Sequence, residues 1–158
     1  SPTSRSQSAD LLANLSSGRS ATGDPVSGAV VFEKAQCIKC HRFGTRGEAM
    51  GPDLTNVRQR FQLKELLEAI LFPSQSITDQ YETTTIVTTA GQVYSGVLAA
   101  AGGQIVVLQA TGEKVLVDQS DVDETVSSRT SAMPDGLLDP LSPDEIADLF
   151  AYLKHGPE

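Results

Sequence analysis

The chain has 158 residues, a length that suits one domain of ordinary size with room for an insertion. Its formal net charge of −8 argues against nucleic acid as a partner, because phosphate neutralisation needs a basic patch. No apolar run reaches the roughly 18 residues that a membrane span requires. Aromatic residues make up 5% and Trp is absent, so a buried apolar prosthetic group would supply core volume that the side chains lack.

Residues 1–25 are rich in Ser, Thr, Gly and Asn and read as a flexible N-terminal tail or linker. Within them, Leu11-Leu12-Ala13-Asn14-Leu15 has the length of one or two helical turns. From Pro25 the pattern changes. Gly28, Val31, Phe32 and Ala35 run at helical spacing into Cys37, which predicts a helix over about 26–40.

That helix leads to Cys37-Ile38-Lys39-Cys40-His41, the Cys-x-x-Cys-His pattern of covalent c-type haem attachment. Two thiols three positions apart on one turn reach the two vinyl groups on one porphyrin edge, and a His directly after the second thiol sits under the iron. Three plainer readings compete. A thioredoxin-like redox pair wants a βαβ context, whereas the flanks here are a helix and a Gly-rich loop. A zinc site needs two more ligands, and the chain holds two Cys and two His in all, with His155 in the C-terminal tail. A simple disulfide does not require the following His.

Gly44, Gly47, Gly51 and Pro52 mark irregular backbone after the motif. A Pro52 carbonyl in this loop is a candidate acceptor for the free N–H of His41, a bond that would fix the imidazole plane and raise its basicity. Residues 62–71 form an amphipathic helix with the stripe Leu63, Leu66, Leu67 and Ile70, closed by Phe72-Pro73. Residues 81–127 switch to period two and β-branched composition. Ala90-Gly91, Gly102-Gly103 and Thr111-Gly112 divide them into four or five short strands, a meander or a small barrel. Nothing in this insertion is catalytic by residue type. Ser142-Pro143-Asp144-Glu145 is a helix start with Ser142 as N-cap, and Ile146, Leu149, Phe150 and Leu153 are the apolar stripe of that last helix.

A haem iron held by His41 takes a sixth ligand from the opposite face, and the candidates are Met50, Met133 and His155. Met50 follows His41 by nine residues and lies in the loop assigned to the His side. His155 follows the last helix and is expected in solvent. Met133, stiffened by Pro134, is the favoured ligand. Charge is unevenly spread, with Lys34, Lys39, Arg42, Arg46, Arg58, Arg60 and Lys64 in one segment and residues 118–148 strongly acidic. Two solvated surfaces explain this, and so does a dipole that orients the protein towards a partner.

Gly28 and Phe32 before Cys-Ile-Lys-Cys-His, then Gly51-Pro52-Asp53-Leu54, Ser131-Ala132-Met133-Pro134 and Asp148-Leu149-Phe150-Ala151-Tyr152-Leu153-Lys154 resemble class I c-type cytochromes. More narrowly, Thr55, Pro73-Ser74 and the Thr-rich β segment look like the planctomycete-type haem-binding domain that ends many large secreted bacterial proteins. The resemblance covers about 26–155. It implies a mainly α class I fold around one haem with an inserted antiparallel β segment, α+β overall, and terminal helices crossing where Gly28 allows close approach. It implies one covalently bound haem c, with Cys37 and Cys40 as thioether sites, His41 and Met133 as axial ligands, Pro52 as the His41 partner, and Arg58 or Arg60 on a propionate. The β insertion, about 81–127 in a domain spanning 26–158, departs from compact cytochromes.

The expected function is one-electron transfer, not enzyme catalysis, with a redox partner on the dehydrogenase or terminal oxidase side. The alternatives are a haem-based sensor binding CO or NO by displacing Met133, a peroxidase-like enzyme, for which no distal acid–base group is evident, and an interaction module acting through the β insertion. No signal peptide is visible at Ser1-Pro2-Thr3-Ser4. Covalent haem attachment nevertheless places the protein in the periplasm or otherwise outside the bacterial cytoplasm, as a processed chain or a piece of a larger secreted one.

Overall fold

A computed structural model describes residues 5–16, 23–75 and 81–157, and the chain divides into two compact units. The first comprises 1–73 and 135–158, the second 74–134.

The first unit is helical. Helix α1 spans Arg5–Asn14, α2 Pro25–Lys34, α3 Val57–Arg60, α4 Leu63–Leu71 and α5 Pro143–His155. The N-terminal segment read as a flexible tail therefore holds a helix. Leu11 and Leu12 pack against the core and Leu15 is buried in it, because leucines four positions apart form a short stripe despite the polar residues around them. Asp24 caps α2, its carboxylate accepting from the Val26 and Ser27 amides at 3.1 and 3.2 Å. At the start of α5, Ser142 Oγ accepts from the Glu145 amide and the Glu145 carboxylate accepts from the Ser142 amide, both at 3.1 Å.

Helices α2 and α5 cross at Gly28. A Cβ there would lie 2.0 Å from the Asp148 carbonyl oxygen and 2.6 Å from Tyr152 Cβ, so only glycine permits the approach. The crossing is tied at its edge by the Asp24 amide, which donates to Asp148 Oδ1 at 2.8 Å, and by an ion pair of 2.6 Å from Lys34 to Glu145. The core around it is Val31, Phe32, Leu67, Leu149, Phe150 and Leu153 with their neighbours. Phe32, Phe43 and Tyr152 form an aromatic cluster with ring centroids 4.7–5.8 Å apart.

The second unit is one antiparallel sheet. Strands β1 (Glu82–Thr88), β2 (Val93–Ala101), β3 (Gln104–Leu108), β4 (Lys114–Asp118) and β5 (Val122–Ser131) take the order β4-β3-β2-β1-β5. The glycines of the three expected turns, Gly91, Gly102 and Gly112, all have positive φ. The first four strands are a meander, but β5 returns to pair with β1 and runs to Ser131, beyond the expected limit near 127. Strand β2 divides its partners: 93–96 pair with β1 and 97–101 with β3. Gly96 sits at the division, where a Cβ would approach Leu108 O to 2.2 Å. Ile86, Val107 and Val117 are the buried centre of this unit.

Candidate functional site

Helix α2 stops before the cysteine motif. Ala35 closes it, and Gln36 takes a left-handed φ of 68°. Cys37–Lys39 then form a 3₁₀ turn, so the motif lies on a separate tight turn rather than on the end of a helix over 26–40. The Cys37 carbonyl accepts from the Cys40 amide at 3.2 Å and from the His41 amide at 2.9 Å. That bifurcated bond folds Cys37, Cys40 and His41 onto a single turn.

The loop that follows wraps back on it. The amides of Phe43 and Arg46 each donate to the other residue's carbonyl. The Gly51 amide donates to Cys40 O at 2.6 Å and the Leu54 amide to Arg42 O at 2.9 Å. Arg46 also pairs with Glu33 of α2. This return brings Pro52 to His41, whose Nδ1 lies 2.7 Å from Pro52 O. A carbonyl can only accept, so Nδ1 carries the proton and Nε2 presents a lone pair. A Cβ on Gly51 would come within 3.0 Å of His41 Cε1 and 3.2 Å of Nδ1, so the imidazole edge rests against bare backbone.

Burial sets the protonation states. It pushes the Cys37 thiol up to about 11, and raises the Cys40 thiol as well, against a smaller opposite pull from Lys39. For His41, burial lowers the pKa and the Pro52 bond works the other way. At neutral pH the turn therefore carries two protonated thiols and a neutral imidazole. A reactive redox dithiol needs the opposite, a stabilised thiolate. Both cysteines are free, and among the described residues no three His, Cys, Asp or Glu side chains converge on a common point that could hold a metal ion.

Met50, expected in the loop on the His41 side, lies beside this turn. It is buried, and its sulfur lies 3.8 Å from Cys40 Sγ. The two arginines have partners within the protein. Arg58 donates to the carbonyl of His155 at the end of α5, which binds its guanidinium to a helix C-terminus, and Arg60 stands 5.7 Å from the centroid of the Phe61 ring. Cys37, Cys40, His41 and Pro52 are thus brought together in the first unit. Met133 belongs to the second, where it is half-buried and its amide donates to Ser131 Oγ at 3.1 Å.

The Cytochrome c family model matches residues 26–97. That span includes the cysteine turn, its wrapping loop and both arginines, and it stops before Met133. No curated protein matches the chain. The match supports a c-type cytochrome, and that family implies covalently bound haem c with iron and haem-based electron transfer. The donor set fits such a group: two protonated thiols on one turn, and beside them an imidazole whose Nδ1 is engaged and whose Nε2 is available.

Proposed function

We propose that the chain is a mono-haem c-type cytochrome of class I, of the planctomycete type, carrying one-electron transfer through His41 and Met133. The observation that carries this reading is the 2.7 Å bond from His41 Nδ1 to Pro52 O on the same turn as the two free thiols. Cys37 and Cys40 would hold the haem by thioether bonds, and His41 Nε2 would take one axial position. The iron supplies a single-electron couple when bound. The chain's part is to hold the imidazole still. The Pro52 carbonyl fixes its plane and makes Nε2 more basic, and Gly51 leaves room for the ring.

Met133 is the proposed sixth ligand. Met50 is already placed against Cys40, on the loop that also carries the His41 partner, which favours Met133. Were His41 and Met133 both to hold the iron, no position would be left for substrate, so we read the chain as an electron carrier and not an enzyme. Its partner is then a redox protein on the dehydrogenase or oxidase side, in the periplasm or another exported setting.

The test is a covalent-haem stain with reduced-minus-oxidised spectra of the wild type, C37A, C40A, M133A and M50A. Covalent haem and a far-red Met–iron band in the wild type are expected. Loss of the band in M133A but not in M50A supports the ligand assignment, and the reverse overturns it. Tight CO binding by the reduced wild type would favour the sensor instead.

A further inference from the structure

We infer that Ser131 is a positioning residue for the sixth-ligand loop: it fastens Met133 to the start of the β unit, so that the insertion works as a holder for the ligand. This rests on the assignment of Met133 proposed above.

Three contacts within the second unit carry it. The Met133 amide donates to Ser131 Oγ at 3.1 Å. The Ser131 amide donates to Ser74 Oγ at 3.1 Å, across 57 residues of sequence. The Ala132 amide donates to Tyr81 O at 3.4 Å, and Ser131 pairs with Glu82 at the end of the β1–β5 ladder. The first and last residues of the insertion are thus sewn together, and the last thing sewn is the backbone of Met133. Ser131 takes part twice, through its amide and its hydroxyl. The hydroxyl makes a local turn onto the second residue ahead, a geometry that Ser and Thr favour. Pro134 further narrows the backbone of Met133 from the other side.

The consequence for ligation is a matter of chain length. Met133 follows His41 by 92 residues. With the ends of the insertion held together by the Glu82–Ser131 pairing and the Ser74–Ser131 bond, the chain that must close between them is 33 residues to Ser74 and two more from Ser131. Closure probability falls as roughly the three-halves power of length, so the sheet pairing and the Ser74 bond together raise the effective concentration of Met133 roughly four-fold, most of it from the sheet. Loss of one hydrogen bond to the Met133 backbone should weaken ligation by a similar factor, roughly five-fold.

The experiment is CO titration of the reduced haem-loaded protein, because CO and Met133 compete for one position. The variants are S131A, S131T, S74A and M133A, with far-UV circular dichroism to follow the sheet. Expected are a CO affinity raised roughly five-fold in S131A, wild-type affinity in S131T, which keeps the hydroxyl, and a smaller rise in S74A. M133A should bind CO most tightly. Hydrogen exchange at the Met133 amide should speed up in S131A alone among the serine and threonine variants. If M133A binds CO tightly while S131A and S74A titrate like the wild type, this inference is overturned and the ligand assignment stands. If M133A itself titrates like the wild type, the assignment fails and the inference with it. A serine with only a structural role would lower the melting point of the sheet and leave CO affinity unchanged. Should S131A lose the sheet, S74A gives the same reading without touching the Met133 turn.

Discussion

His41 depends on two neighbours that contribute only backbone to it. Pro52 offers a carbonyl, and Gly51 offers the absence of a side chain. Adding a methyl in G51A would crowd the imidazole at 3.0–3.2 Å, and the ring would have to shift by a few tenths of an ångström. The expected cost is about 1 kcal/mol in urea unfolding of the haem-loaded protein, with a change in the midpoint potential as the Pro52 bond lengthens. The thiols make a second prediction, for the haem-free chain. Cys37 is held up to about 11 by burial, so its alkylation by iodoacetamide should follow a thiolate midpoint near that value instead of the usual 9.0. The sign for stability follows. The unfolded chain releases this proton near 9.0 and the folded chain near 11, so Cys37 favours folding below 9.0 and that contribution is lost as pH rises between the two. Unfolding midpoints measured across this range should fall, and should fall less in C37S. At this scale the cysteine turn was legible because its chemistry is written in consecutive residues. Gln36 was not. Nothing in a glutamine announces a left-handed φ, and the break it makes separates the motif from α2. Arg58 was also hidden, since its partner is a backbone carbonyl 97 residues away that every sequence possesses.

The elements divide along the same line. Helices α4 and α5 were readable from their stripes, and the start of α5 from Ser142, Pro143 and Glu145, because caps and amphipathic spacing are local. The three Gly turns likewise announced β1 to β4. The return of β5 to β1 did not show, because pairing across an entire sheet leaves no mark in either strand alone. Helix α1 was obscured by its serines, and only the packing of Leu11, Leu12 and Leu15 reveals why it forms. The α2–α5 crossing yields a sharp prediction. G28A puts a methyl 2.0 Å from a backbone oxygen that belongs to a helix and cannot swing aside. The variant should lose about 3 kcal/mol or more of stability in chemical denaturation, with the helices forced apart. G102A, at a turn where a Cβ meets nothing, should lose only about 1 kcal/mol, from its positive φ.

At the scale of the whole molecule, the second unit is continuous in sequence and has its own buried centre in Ile86, Val107 and Val117. The excised fragment 74–134 should therefore keep its sheet, with a stability of only about 3 kcal/mol given so small a core. Far-UV circular dichroism against temperature reads this directly, and a fragment without β signal would show that the sheet needs the rest of the chain. The uneven charge noted in the sequence is partly spent internally. Lys34 pairs with Glu145 and Arg46 with Glu33. Lys39, Arg42, Arg60 and Lys64 are exposed, and charges of this kind are screened within about 10 Å at ordinary salt.

The crossing at Gly28 also imposes an order in time. Helix α2 lies near the beginning of the chain and its partner α5 at the far end, with the whole β unit between them. As the polypeptide emerges during synthesis, the sheet can complete its pairings from residues already available. The helical core cannot, because half of its central contact is the last segment to appear. The loop that wraps the cysteine turn would lack its contact from Phe43 to Tyr152 until α5 arrives. Closure of the two ends would then be the last step of folding, and a chain cut short before Pro143 would lack half of the crossing at Gly28.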